Sequence, residues 1–247
     1  MKVQLLNWQF EPKLVTSLVT VFFFVVLLKL GFWQLDRADQ KSRMEASYIS
    51  HLSDDPDPIN DLLAAKDWHS AEWRSVKADG EFASTNILLD NQIVDGTAGY
   101  FVFTPFKLSA SPLWVMVNRG WVPMGNSRSQ IPPVGSPHGT TEIIARVTDI
   151  PPTGLFLGKN AIEVMSDSVL RAQRIHIDEM SAYLKHNFVP FVLRLEPESD
   201  NGFVRQWPLP GFGQEKHLGY AFQWFALAGT LLAIYLIVNI KKVGSGE

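Results

Sequence analysis

One imidazole stands at the head of a long apolar run: His217, in Lys216-His217-Leu218-Gly219-Tyr220-Ala221-Phe222-Gln223-Trp224-Phe225. A neutral imidazole ligates transition metals and is the usual axial ligand for heme iron. On helical spacing Tyr220, Ala221, Trp224 and Ala228 share its face. That face mixes flat aromatic surface with small side chains, which a porphyrin could lie against. His217, Tyr220 and Trp224 would also serve as plain interfacial anchors for a helix in lipid, and the residues alone leave both readings open. A second cluster, Trp33, Gln34, Arg37 and Lys41, flanks another apolar run, with Arg37 one helical turn from both Gln34 and Lys41. Such a basic pair suits the propionates of a tetrapyrrole or the phosphates of lipid. A third feature is Arg119, a cation inside the strand-like run Trp114-Val115-Met116-Val117-Asn118-Arg119-Gly120-Trp121. A buried cation needs a partner. Asp90, in a structural ion pair, or an anionic group on a cofactor could supply it.

Other chemistries find little footing. The chain has no cysteine, which excludes disulfides, thiolate metal sites, redox dithiols and a thiol nucleophile. G-x-S-x-G, H-E-x-x-H and the phosphate-binding glycine loops are absent. His51, His69, His138, His176 and His186 are scattered without ligand spacing, and Asp54, Asp55 and Asp57 lack the glycine and terminal glutamate of a calcium loop. Gly96 and Gly99 read as turn and bulge residues. The expectation is a protein that is not an enzyme.

The elements that must position these residues are set by two apolar segments. Each is long enough to cross about 30 Å of hydrocarbon as a helix. The expected organisation is a tail at 1–13, a transmembrane helix at 14–35, a folded domain at 36–216, a second transmembrane helix at 217–238 and a tail at 239–247. The first span lacks a small-x-small cleavage site after it, so it reads as an uncleaved anchor, and no Arg- and Ser-rich presequence precedes it. That favours a bacterial inner membrane. Lys2 and Lys13 precede the first span, and Lys241 and Lys242 follow the second. Both termini are therefore expected in the cytoplasm and the central domain in the periplasm. That domain carries 17 Lys and Arg against 23 Asp and Glu, an acidic balance that speaks against nucleic acid.

Within the domain, charged helix-compatible sequence continues from the first span to about residue 53, where Asp54-Asp55-Pro56-Asp57-Pro58 stops it. A short helix is expected over 59–66. Strand patterns follow over 72–82, 87–89, 100–108, 114–121 and 142–150, then a proline-containing loop over 151–160. A helix capped by Asp178 is expected over 179–186, and a last strand over 188–195, with 203–207 pairing to it. Pro208-Leu209-Pro210-Gly211 leads back to the membrane. Gly229 and Ala233 are spaced for close helix packing. The expected class is α+β: a two-helix transmembrane hairpin carrying an antiparallel, β-rich periplasmic domain.

Four blocks in fixed order carry a resemblance. They are Gly31-x-Trp33-Gln34-Leu35-x-Arg37-x-x-x-Lys41; Leu88-Leu89-Asp90-Asn91 with Gly96-x-x-Gly99-Tyr100-x-Val102-x-Thr104-Pro105-Phe106; Val117-Asn118-Arg119-Gly120-Trp121-Val122-Pro123; and His217-Leu218-x-Tyr220-Ala221-x-Gln223-Trp224-Phe225. Together these resemble the Surfeit locus protein 1 family. The chain departs from it at Glu215-Lys216, where members often carry Asn-Asn, and it matches only loosely between Pro123 and Gln214. The resemblance implies an assembly factor for heme-copper terminal oxidases in cytochrome c oxidase biogenesis. It further implies binding of heme a and help in its delivery to oxidase subunit I, with heme a synthase as a further partner. His217 would be the iron ligand, Arg37, Lys41 and Arg119 propionate contacts, and Trp33, Tyr100 and Trp224 walls of the site. The alternative is a membrane-anchored scaffold that binds oxidase subunits without carrying heme.

Overall fold

A computed structural model describes every residue except 1–2, 6–7, 66–67, 126, 152–161, 208–212 and 243–247. The loop expected over 151–160 lies outside the described residues beyond Pro151, as does the return through Pro208-Leu209-Pro210-Gly211. The elements in chain order are β1 (Val3–Leu5), β2 (Trp8–Phe10), α1 (Leu14–Ser50), β3 (Asp57–Pro58), α2 (Ile59–Ala65), a 3-10 turn (His69–Ala71), β4 (Ser75–Phe82), β5 (Asn86–Val94), β6 (Thr97–Leu108), β7 (Trp114–Pro123), β8 (Thr140–Thr148), β9 (Ile162–Ser166), β10 (Val169–Ala172), α3 (Ile177–Leu184), β11 (Phe188–Leu195), α4 (Gln214–Asn239) and β12 (Ile240–Lys242). The chain forms two compact units, one of residues 1–47 with 208–247 and one of residues 48–207.

In the first unit α1 and α4 are both long and apolar enough to cross a membrane by length and composition. Most of their surface is exposed and apolar, Leu14, Phe22, Phe222 and Ile237 among it, as lipid-facing helices require. Each helix hides one narrow stripe. On α1 the least exposed positions step through Ser17, Thr20, Phe24, Leu27, Gly31, Gln34 and Ala38. On α4 they step through His217, Ala221, Trp224, Ala228, Leu231 and Tyr235. Alternating steps of three and four are the seam of a left-handed helix pair. The seam closes tightest at Gly31, where an added Cβ would stand 2.6 Å from the Phe225 ring. The same ring meets Phe32 edge to face. Gly229 and Ala233, the pair expected to pack, lie exposed instead, and a Cβ on Gly229 would meet nothing. The stripe through 221, 224 and 228 turns them away from α1. At the other end β2 pairs antiparallel with both β1 and β12. The two terminal segments meet because antiparallel helices bring their outer ends side by side.

The second unit is a closed β structure with an extension. β4, β8, β11, β7 and β6 are hydrogen-bonded in that order, and β6 returns to β4 through Gly80↔Leu108, Glu81↔Lys107 and Phe82↔Phe106. Closure brings the backbones close: a Cβ on Gly80 would lie 2.1 Å from the Lys107 carbonyl oxygen. The interior is filled at strand period two. Val76 and Ala78, Phe106 and Leu108, Val115 and Val117, Ile143, Ala145 and Val147, and Val189, Phe191, Leu193 and Leu195 form one buried cluster. β5, β10 and β9 extend the sheet outward from β6, and α3 covers a second cluster through Ile177 and Met180.

The domain is α+β and strand-rich, but its sheet is mixed. β11 runs parallel to β7, β10 to β5 and β3 to β4. Parallel neighbours need a long crossover, and the chain supplies one between β7 and β11 that includes α3. Residues 203–207 do not add a strand to β11: Val204 makes an isolated bridge to Trp121 of β7, and the Trp207 indole donates to the Leu195 carbonyl. α3 begins two residues earlier than expected, with His176 rather than Asp178 at its N-cap. Asp178 and Glu179 then occupy its first turn, where carboxylates favour the helix dipole.

Candidate functional site on the helix seam

His217 lies in the first turn of α4, on the seam. Its Nδ1 is 2.7 Å from Gln34 Oε1 of α1. An amide oxygen only accepts, so Nδ1–H donates, and in a neutral ring the lone pair is left on Nε2. No protein partner engages Nε2 among the described residues. The seam explains both positions: Gln34 falls between Gly31 and Ala38 on α1, and His217 one turn before Ala221 on α4. The result is a half-buried imidazole gripped on one edge and free on the other.

Trp224 sits on the same seam two turns beyond His217, partly buried, while Tyr220 is 53% exposed and faces outward. On α1, Arg37 stacks over Trp33 with 5.8 Å from guanidinium carbon to ring centroid. The Arg37 guanidinium also donates to Gln40, whose amide donates to Asp36. Lys41 follows one turn later, half-buried. Of the seven site residues expected from sequence, the hairpin thus carries His217, Trp33, Arg37, Lys41 and Trp224.

The other two belong to the β unit and are spent on its interior. Tyr100 is 1% exposed in a cluster with Leu88, Val102, Val122 and Val169. Arg119 is 3% exposed. It sits at a bulge where β7 places both Arg119 and Gly120 between the pairs Phe101↔Trp121 and Phe103↔Asn118. Gly120 has φ +118°, and a Cβ there would press on the Val204 carbonyl at 2.7 Å, so the bulge requires glycine. Arg119 Nε donates to the Asn201 carbonyl at 2.8 Å, and its NH1 to the Gly135 carbonyl at 2.8 Å and to Asn86 Oδ1 and Thr104 Oγ1 at 3.3 Å. The Phe82 and Phe203 rings lie on the guanidinium at 5.2 and 4.9 Å. Every one of these acceptors is neutral, and burial pushes the Arg119 pKa down to about 10. Asp90, the expected ion partner, pairs with Arg128 instead and accepts from the Asn91 amide.

As a ligand set the hairpin offers one nitrogen. Among the described residues no three His, Cys, Asp or Glu side chains group as a metal ion would need. A single imidazole with a free Nε2, beside aromatic and small residues, fits an axial bond to an iron porphyrin better than a caged ion. Two described cavities, of about 420 and 200 Å³, lie against α2 and β4 in the β unit and contain none of these residues. Gln34 is the residue that sequence reasoning placed in a cluster but gave no role. Spacing of three and four puts 34 on a stripe with 27, 31 and 38, and 217 on one with 221, 224 and 228, but that the two stripes face each other is set by the folded pair.

Residues 21–229 match the sequence profile of the SURF1 family. The SURF1-like protein of Rickettsia felis is 29% identical over 229 residues, covering 90% of this chain and 96% of its own. The SURF1-like protein of Rickettsia bellii is 29% identical over 229 residues, covering 90% of each. The cytochrome oxidase assembly protein SHY1 of Saccharomyces cerevisiae is 28% identical over 102 residues, 40% of this chain and 25% of its own. With a matched span that takes in most of both helices and the whole β unit, this chain belongs to the SURF1 family.

Proposed function

We propose that this protein is a membrane-anchored, non-enzymatic assembly factor for a heme-copper terminal oxidase. In this reading it holds heme a transiently through His217 and passes it toward oxidase subunit I. One observation carries the reading: His217 is fixed by its Nδ1 to Gln34 on the facing helix while Nε2 has no protein partner among the described residues. A single axial ligand on an open seam suits a cargo that must leave. Arg37 and Lys41, one and two turns beyond Gln34 on α1, would meet the propionates, and Trp33 and Trp224 would flank the ring. Arg119 and Tyr100 act in the fold of the β domain in this account, since both are consumed by its interior. The name borne by the yeast relative, an oxidase assembly protein, agrees with the client.

The reading includes an inner-membrane location with both termini in the cytoplasm and the β domain in the periplasm. Lys2, Lys13, Lys241 and Lys242 at the chain's two ends support that orientation. Subunit I and heme a synthase are the proposed partners. The test is to express wild type and His217→Ala in a host that makes heme a and measure heme a per protein after detergent purification. Strong depletion in the variant is expected; equal heme in both rejects the ligand assignment. A scaffold without cargo is favoured instead if oxidase maturation survives His217→Ala but fails when the surface of the β domain is altered.

A further inference from the structure

We propose that Gln34 is a positioning residue: it fixes His217 as the Nδ1–H tautomer and so presents Nε2 as the only available ligand atom. The inference deepens the proposed function and rests on that reading for what Nε2 would bind. A neutral imidazole has one proton and one lone pair to distribute over two nitrogens, and a hydrogen bond to one nitrogen decides the matter. Here the bond runs from Nδ1 to Gln34 Oε1 at 2.7 Å. Gln34 cannot easily turn aside: it is 9% exposed, held on the seam between Gly31 and Ala38, which are both buried. The neighbouring polar groups are engaged elsewhere, Arg37 with Trp33 and Gln40 and Gln40 with Asp36. Lys41 carries only donors and could not replace the acceptor.

The residue type also sets the strength of the grip. Histidine ligands gain basicity when their second nitrogen donates to an acceptor, and a carboxylate pushes harder than an amide. A neutral glutamine at the edge of hydrocarbon avoids burying a charge and leaves the imidazole a moderate ligand. That suits a protein that must release what it binds.

The test uses the full-length protein in detergent, with 15N-histidine and hemin as the probe. At pH 8.5, where an ordinary imidazole is neutral, the nitrogen shifts of His217 (assigned by their loss in His217→Ala) should report a protonated Nδ1 and a bare Nε2. Gln34→Leu should release this preference and Gln34→Glu should keep it. Hemin affinity should fall about tenfold in Gln34→Leu, the lower end for loss of an outer partner of a metal ligand. In Gln34→Glu it should be restored or raised, with a higher iron–histidine stretching frequency. A His217 found with its proton on Nε2, or a tautomer unmoved by Gln34→Leu, overturns the proposal. Hemin affinity equal in wild type and His217→Ala would instead remove the ligand role from His217; the nitrogen shifts then still decide whether Gln34 orients the ring.

Discussion

Replacing Arg119 with methionine separates the two roles that its position in the chain allows. The side chain keeps roughly its length and its contact with Phe82 and Phe203, but four hydrogen bonds disappear. Two of them, to the Asn201 and Gly135 carbonyls, are 2.8 Å long, and two, to Asn86 and Thr104, are 3.3 Å. A bond from a charged donor contributes about 1.5–3 kcal/mol, so the two short ones amount to about 3–6 kcal/mol. Part of that returns, because burial disfavours the guanidinium itself and holds its pKa near 10. Thr104 also keeps its own bond to Asn86 at 2.7 Å. A net loss of about 3 kcal/mol is expected, which lowers Tm by about 10 °C for a unit of this size. Arg119→Lys should fall between, since an ammonium cannot span the same fork of acceptors. Near-ultraviolet circular dichroism of the purified protein follows the melt, and heme a per folded protein is measured on the same samples. Stability should drop while heme content per folded molecule stays constant. An unchanged Tm together with lost heme would refute the reasoning, because the bonds described would then count for nothing and the cation would be serving a ligand.

Three further outcomes follow from the packing. Gly80→Val should undo the closure of β4 on β6, because its Cβ would stand 2.1 Å from a backbone oxygen that cannot move aside; loss of amide exchange protection across 80–82 and 106–108 checks it, with a cost of about 3 kcal/mol or more. Gly31→Val should push α4 off α1 through Phe225 and lengthen the Gln34–His217 bond, read as weaker crosslinking between cysteines introduced at positions 27 and 228. Burial, with help from Asp149, holds the Glu72 carboxyl above its ordinary range. The folded state then binds more protons than the unfolded chain between the ordinary carboxylate value and the raised one, so Glu72 weakens the fold as pH rises through that window. Glu72→Gln should therefore raise Tm at pH 7, leave it nearly unchanged at pH 4, and flatten the dependence between.

The parts of the fold that were legible in the sequence are those where one element decides its own form. The two apolar runs could only be long helices, and the strands β4, β6, β7 and β8 announced themselves by β-branched and aromatic residues between turn signals. Asp95-Gly96 joins β5 to β6 with φ of 48° and 75°, the left-handed pair that a two-residue hairpin turn demands. What was not legible depends on partners distant in the chain. The parallel pairing of β11 with β7 is set by α3 filling the crossover, and β9 and β10 form because β10 docks along β5, not because Val169-Leu170-Arg171-Ala172 is a strong strand by itself. Arg119 looked like a cation awaiting an anion; that neutral carbonyls from two loops would enclose it required the fold. At the candidate site the imidazole was visible from its type and place, whereas its partner Gln34 was hidden because a seam is a property of two helices.

The hairpin is tied across its seam at two depths. Ser17 and Tyr235 share a hydrogen bond of 2.6 Å near one end, and Gln34 and His217 share theirs near the other. Seventeen residues separate these ties on α1 and eighteen on α4, so the helices advance in step over about 26 Å, close to the thickness of a bilayer's hydrocarbon. Between the ties the seam holds Thr20, Phe24, Leu27 and Gly31 against Ala221, Trp224, Ala228 and Leu231, nearly all apolar or small. Apolar contacts alone hold register weakly in lipid, where tails compete with side chains on equal terms, and paired polar groups within a seam fix it. The tie at Ser17 and Tyr235 thus bears on the other end of the hairpin, since it limits how far α4 can slide and so where the imidazole stands. If the hairpin spans a bilayer as proposed, that depth is the boundary between hydrocarbon and headgroups. In the proposed reading a tetrapyrrole held there would turn its apolar ring toward lipid and its propionates toward Arg37 and Lys41, and its release would require only the bond to His217 to break.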